Sequence, residues 1–129
     1  MKLPTLVLAT ACLLGGCATY GDIRAKAPAK TLTVKGDPGA VADCTLDKLQ
    51  LKYATGQVMG ETFQKTLVGQ TVHIAAQLHG WTGPQTYEYD LAFAPAGAGM
   101  TTVEARAISD LWGRPRVPPD VLALARTCP

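Results

Sequence analysis

Apolar and polar side chains alternate along much of the chain between residues 61 and 107. The clearest run has Tyr87, Tyr89, Leu91 and Phe93 separated by Glu88, Asp90 and Ala92. Weaker alternation covers residues 61–68, 72–79 and 102–107, with short segments rich in glycine or small residues between the runs. An alternating strand places one face on a core and the other in water, as antiparallel sheets allow. The pattern therefore predicts an antiparallel meander.

Two other segments have the spacing of helices. The first is predicted from Pro38 to about Lys52, with Asp37 as its N-cap and apolar positions every three or four residues. The second is predicted over residues 120–127, and a short strand over 31–35 precedes the first helix. The sequence thus predicts an α+β fold, a meander sheet of three to five strands with two helices on its apolar face.

The first 17 residues are organised differently. Lys2 is followed by an apolar run over residues 3–14, which is long enough for a secretory signal and shorter than the roughly 20 residues of a membrane-spanning helix. The run ends in Leu14-Gly15-Gly16-Cys17, which resembles the lipobox of bacterial lipoproteins, in which the cysteine is lipidated and becomes the N-terminus. An ordinary secretory signal and an N-terminal buried helix are the alternatives.

The resemblance implies a division of the chain. Residues 1–16 would be the signal peptide, residues 17–30 the lipidated cysteine with a flexible tether, and residues 31–129 a small periplasmic domain. In Gram-negative lipoproteins an Asp after the lipidated cysteine favours the inner membrane. Ala18 occupies that position, so the resemblance implies an outer-membrane anchor with the domain facing the periplasm. The segment Val41-Ala42-Asp43-Cys44 also resembles one found in small proteobacterial lipoproteins.

Charge and composition exclude some classes of function. The chain has 12 Lys and Arg against 10 Asp and Glu, and one of the basic residues, Lys2, lies in the predicted signal. A balance so close to neutral is not the electrostatic pattern of a nucleic-acid-binding protein. With 47% hydrophobic and 17% charged residues, the composition is that of a globular protein rather than a disordered one.

Four cysteines are present, and the lipoprotein resemblance assigns them different fates. Cys12 would leave with the signal peptide and Cys17 would carry lipid, so Cys44 and Cys128 would remain. In an oxidising periplasm we expect one disulfide between these two, linking the two predicted helices. The alternative is two unpaired buried thiols. A metal site has less support, because no histidine lies at ligand spacing from either cysteine.

Candidate catalytic groups are few. His73 and His79 are the only histidines, and six residues along one strand separate them by roughly 20 Å, too far to share a metal ion. We therefore expect both to face solvent and expect no metal or cofactor. Glu88 and Asp90 would stand side by side on one face and pair with Arg106 or its neighbours across the strands. Because paired carboxylates can cleave glycosidic bonds, a hydrolase or glycan-processing enzyme using these two is the alternative function.

The remaining candidates are binding residues. The predicted polar face of the sheet carries His73, Gln77, Glu88, Asp90 and Arg106. Trp81 and Trp112 fall in loop-like segments, where an exposed Trp can mark a contact surface. We expect a non-enzymatic protein that is attached to the membrane by its lipid and binds or supports an envelope protein or peptidoglycan.

Overall fold

A computed structural model describes residues 20–53, 61–78, 86–109, 112–115 and 117–128. These residues form three helices and five strands: α1 (Tyr20–Arg24), β1 (Lys30–Lys35), α2 (Pro38–Tyr53), β2 (Glu61–Val68), β3 (Thr71–Leu78), β4 (Thr86–Pro95), β5 (Met100–Ala107) and α3 (Val121–Arg126). The strands make one antiparallel sheet in the order β1-β5-β4-β3-β2. The predicted α+β class and antiparallel sheet are confirmed.

Strands β2 to β5 form the predicted meander, and β1 adds to its β5 edge. The two-residue turn between β2 and β3 has Gly69 at φ 62°, a left-handed conformation that favours glycine. The turn from β4 to β5 lies at the same end of the sheet, which we call the distal end. We call the opposite end, where β4 begins and β5 stops, the proximal end.

Helices α2 and α3 cover one face of the sheet, which we call the core face. Asp37 caps α2 as predicted, because its Oδ2 accepts hydrogen bonds from the backbone N–H groups of Gly39 (3.0 Å) and Ala40 (3.2 Å). The core draws on both helices and four strands, through Val34, Val41, Leu49, Ile74, Tyr89, Leu91, Phe93, Val103, Val121 and Ala125. The amphipathic stripe predicted for α2 therefore faces the sheet.

The predicted disulfide is present between Cys44 and Cys128, whose Cα atoms are 5.9 Å apart. Cys44 lies in α2, but Cys128 lies two residues beyond the end of α3 at Arg126. The bond therefore links α2 to the segment that follows α3. The prediction that it would join the two helices is wrong in this detail. It closes a loop with a sequence separation of 84, for which the chain-entropy model gives a stabilisation of about 4.5 kcal/mol.

The third helix, α1, corrects two expectations. It lies on the opposite face of the sheet, against β4 and β5, so the helices are not all on one face. It also falls within the predicted flexible tether, although Ile23 is fully buried and Lys30 already belongs to β1. The physical reason is that Ile23 finds apolar cover on this face, where the small residues Ala75 and Ala92 are buried as well. We call this face the α1 face.

Some expectations lie outside the described residues. They include the signal peptide, Cys17, His79 and Trp81. Within the part of the chain that the structure describes, no helix is long and apolar enough to cross a membrane.

Candidate functional site

A β-bulge between β3 and β4 changes which face of the sheet the residues at the start of β4 occupy. Ala76 lies opposite Tyr89 and Gln77 lies opposite Tyr87, so Glu88 is an extra residue between two cross-strand pairs. Residues that pair across an antiparallel sheet share a face. Tyr87 is therefore on the α1 face with Gln77, whereas Tyr89 is on the core face with Ala76.

Side-chain contacts agree with this division. The Tyr87 ring lies 5.2 Å from the ring of Tyr20 in α1. Glu88 instead interacts with the carboxyl group of Glu61, which also lies 3.4 Å from the hydroxyl of the core residue Tyr89. The predicted alternation thus holds from Tyr89 onward and is wrong for Tyr87 and Glu88. The carboxyls of Glu88 and Asp90, expected side by side, point to opposite sides of the sheet.

On the α1 face, the carboxylate of Asp90 is the centre of a buried polar cluster. Its Oδ1 accepts a hydrogen bond from the Tyr20 hydroxyl (2.8 Å), and its Oδ2 accepts one from His73 Nδ1 (2.9 Å). Arg24 Nε lies 3.8 Å from Oδ1 and balances the charge. The Asp90 side chain has no exposed surface, and that of His73 is 13% exposed. A buried carboxylate needs such partners to offset its lost hydration.

Arg24 extends this cluster from α1 to β2. Its Nη2 donates a hydrogen bond to Thr66 Oγ1 (3.0 Å) and another to the Tyr20 hydroxyl. The guanidinium carbon lies 3.6 Å from the centre of the Tyr20 ring, in a cation–π contact. Burial is the main cause that raises the pKa of Tyr20, so its hydroxyl keeps the proton that it donates to Asp90. We call these five residues (Tyr20, Arg24, Thr66, His73 and Asp90) the Asp90 cluster.

The Asp90 cluster differs from the sequence expectations at two positions. His73, expected to face solvent, is mostly buried and hydrogen-bonded to Asp90. Arg106 lies directly opposite Asp90 in the sheet but hydrogen-bonds to Glu104 Oε2 (2.6 Å) and to the Lys26 carbonyl (2.8 Å). Both oxygens of Asp90 are already occupied by contacts within the fold. The cluster is therefore suited to fastening α1 to the sheet.

A second polar cluster lies on the core side of the proximal end. The carboxyl groups of Glu61 and Glu88 lie close enough to interact, and the Tyr89 hydroxyl lies 3.4 Å from Glu61 Oε2. Burial and the neighbouring charge of Glu88 raise the pKa of Glu61 to about 7. Burial also raises the pKa of Tyr89 and that of Tyr53, which lies nearby in α2. We call Glu61 and Glu88 the carboxyl pair.

The carboxyl pair adjoins the junction of the two core-face helices. The Tyr53 hydroxyl donates a hydrogen bond to Asp120 Oδ1 (2.6 Å), just before α3 begins. Lys52 forms an ion pair with the same carboxylate. The start of α3, the end of α2 and the carboxyl pair therefore meet at the proximal end of the sheet.

The structure brings most of the predicted binding residues to one face. His73, Gln77, Asp90 and Arg106 share the α1 face, partly under α1. Glu88 is directed away from them, and the side chain of Trp112 is 80% exposed in the loop after β5. The described residues include no group of three or more His, Cys, Asp or Glu side chains that could hold a metal ion.

Sequence reasoning missed the partners on α1 and β2. Tyr20 and Arg24 are four residues apart, the spacing of neighbours on one face of a helix, and that spacing was a usable signal. Glu61 had no comparable signal, because its contact with Glu88 depends on the bulge. Comparison of the chain with family models, curated proteins and solved structures finds no match.

Proposed function

We propose that this chain is a lipid-anchored envelope protein, acylated at Cys17, whose domain is a non-catalytic binding or structural module for an envelope protein or peptidoglycan. The observation that carries the proposal is the attachment of α1 to the sheet through the Asp90 cluster. Because α1 begins three residues after Cys17, an acyl group there would hold the folded domain directly at the membrane surface.

The disulfide supports the proposed compartment. Bonds such as that between Cys44 and Cys128 form and persist in oxidising environments, including the bacterial periplasm. An outer-membrane location follows by analogy from Ala18. Changing Ala18→Asp would then move the protein to the inner membrane, whereas Ala18→Ser would not. Separation of the two membranes by density, followed by immunoblotting, measures this outcome. Identical fractionation of both variants would contradict the sorting assignment.

The part of the α1 face that α1 leaves open is the surface proposed for a partner. Gln77 lies beside Tyr87 on this face, and Thr31 lies on it at the β1 edge, opposite Glu104. A photo-crosslinking residue at Gln77 or Thr31, activated in living cells, tests whether a partner sits there. We expect a discrete adduct at one or both positions.

The matched control is the same crosslinker at Leu51, which is 74% exposed on α2, on the other side of the molecule. An adduct at Gln77 or Thr31 but not at Leu51 would support a partner on the α1 face. Equal labelling at all three positions would indicate random collision. No adduct at Gln77 or Thr31 would contradict a binding role for this face.

The alternative function, a hydrolase acting through Glu88 and Asp90, has no support from their geometry, because these carboxyls face opposite sides of the sheet. One observation favours a different version of it. Glu61 and Glu88 form a carboxyl pair, and the pKa of Glu61 is raised to about 7, as in many general acids. Release of muropeptides from purified peptidoglycan, compared between the unmodified chain, Glu61→Gln and Glu88→Gln, separates the two functions. A non-catalytic module would give no release from any of them.

A further inference from the structure

The proximal end of the sheet is where the chain arrives from Cys17. The ring of Tyr20, the first described residue of α1, packs at a tilt against the ring of Tyr87 near the start of β4. Only Ala18 and Thr19 separate Tyr20 from Cys17, so the two Cα atoms are at most about 11 Å apart. An acyl anchor on Cys17 would therefore lie close to the proximal end and far from the distal turns.

An exposed aromatic residue lies at the same end. The Ile108 N–H, just after β5, donates a hydrogen bond to the Glu88 carbonyl (3.1 Å). Ser109 then forms a bridge with Pro115, so the chain doubles back and Trp112 lies at the turn. Its side chain is 80% exposed and at most about 11 Å along the chain from Ser109. Trp side chains are enriched where membranes meet water, because their rings are amphipathic.

Basic side chains accompany this end as well. Between Tyr20 and Lys30 the chain carries Arg24, Lys26 and Lys30 against the single acid Asp22. Lys26 and Lys30 are exposed. Lys30 lies opposite Ala105, and the Lys26 carbonyl accepts a hydrogen bond from Arg106, so both lie closer to the proximal end than Lys35, which is opposite Met100. Each such cation contributes roughly 1 kcal/mol of attraction near an anionic lipid surface.

From this placement we infer that the proximal end is a lipid-contacting surface, with Trp112 in the interfacial layer and Lys26 and Lys30 against lipid phosphates. The inference rests on the proposed lipid anchor at Cys17 and specifies how the domain is oriented on it. The sheet then stands away from the bilayer, with the β2–β3 turn roughly 20 Å farther out. The open part of the α1 face toward the distal end, where Thr31 lies opposite Glu104, remains available to a partner, whereas Gln77 lies next to the lipid-contacting end.

Quenching of Trp fluorescence by brominated lipid tests this orientation. The protein carries two Trp residues, so Trp81→Phe leaves Trp112 as the reporter. The acylated protein, with the mass of its N-terminal peptide verified, is reconstituted into vesicles of phosphatidylethanolamine and phosphatidylglycerol. Part of the phosphatidylethanolamine is then replaced by phosphatidylcholine brominated near the carbonyl end of its acyl chains. We expect the emission of Trp112 to fall about twofold or more, because an interfacial ring lies at headgroup depth.

The matched control places the reporter at the distal end. Leu67 is 69% exposed beside the β2–β3 turn, so Leu67→Trp in a chain lacking both native Trp residues adds an exposed reporter there. Its emission is expected to be unchanged by bromine. Equal quenching of the two reporters, or none of Trp112 in vesicle-bound acylated protein, would overturn the orientation. If Cys17 is not acylated and the protein does not bind vesicles, the proposed anchor is wrong, and the orientation that depends on it is wrong as well.

A second measurement needs no substitution. Lys30 and Lys35 lie at the two ends of β1, and both are exposed. On vesicles we expect a water-soluble acetylating reagent to modify Lys26 and Lys30 about twofold or more slowly than Lys35, because lipid phosphates cover the first two. Dissolving the vesicles in detergent would remove the difference. Equal rates on intact vesicles would contradict the orientation.

Discussion

The clearest quantitative prediction is the loss of stability caused by Asp90→Asn in the Asp90 cluster. The substitution keeps the shape of the side chain but removes its charge. The amide side chain could still accept one hydrogen bond, from Tyr20 or from His73, while the Arg24 cation would lose the anion that balances it. The substitution would therefore weaken the contact that holds α1 to the sheet.

The size of the effect follows from burial. Removing one partner of a buried ion pair costs about 3–5 kcal/mol, because the other charge stays buried without compensation. The Asp90 side chain is fully buried, but Arg24 is 27% exposed and can recover part of its hydration, so we expect about 3 kcal/mol. For a domain of this size that loss lowers the Tm by about 10 °C.

Urea unfolding followed by circular dichroism measures this cost, and Asp43→Asn is the matched control. Asp43 pairs with Lys65 on the surface, where both side chains are well exposed, so its loss is expected to cost at most about 0.5 kcal/mol. Hydrogen exchange adds a local readout: amides of residues 24–26 would exchange faster in Asp90→Asn than those of β4. A cost no larger than that of the control, with unchanged exchange in α1, would refute the role given to the cluster.

Three further predictions concern other parts of the fold. The pKa of Glu61 is about 7 in the folded protein and ordinary in the unfolded chain. Its contribution to the free energy of unfolding is therefore fully present below about pH 4.5 and is lost as the pH rises through 7. Glu61→Gln would reduce the fall in the free energy of unfolding with pH by about 1 kcal/mol, after allowance for solvent screening. Unfolding curves measured from pH 5 to 8 check this prediction. The same pH dependence in the variant and the unmodified chain would contradict it. Replacing both Cys44 and Cys128 by Ala would lower the free energy of unfolding by about 4.5 kcal/mol. Reducing the disulfide of the unmodified chain would cause the same loss, measured in the same denaturant titration. Ile23→Ala would cost about 3 kcal/mol and raise protease cleavage near α1, whereas intact stability would show that α1 is not packed.

The sequence was most informative where local chemistry decides the structure. Asp37 and Pro38 begin α2 because a carboxylate can accept the free N–H groups of a first helical turn. The alternation of Leu91 and Phe93 marks a strand because burial on one face requires it. The cysteine pairing followed from the expected compartment and from the few cysteines left to pair.

It was least informative where distant residues decide the structure. The bulge at Glu88 leaves no trace in the alternation of β4, since Tyr87 is apolar enough to suit either face. Because of the bulge, Glu88 lies beside Glu61, while Asp90 contacts α1 on the other face. The pairing of Glu88 with Glu61 therefore could not be predicted from the sequence. A helix of five residues contains only one pair of residues at i, i+4 spacing, Tyr20 and Arg24, and no longer period to support it. So short a helix is not stable by itself, and α1 depends on the packing of Ile23 and the Asp90 cluster on the sheet.

The most direct test of the account is the mass of the mature N-terminal peptide from protein purified out of the membrane fraction. We predict a chain that begins at Cys17 and carries a diacylglyceryl group on sulfur with a further acyl chain on the amino group. A chain that begins elsewhere, or a Cys17 without lipid, would contradict the anchor on which the proposed function and the membrane orientation both depend.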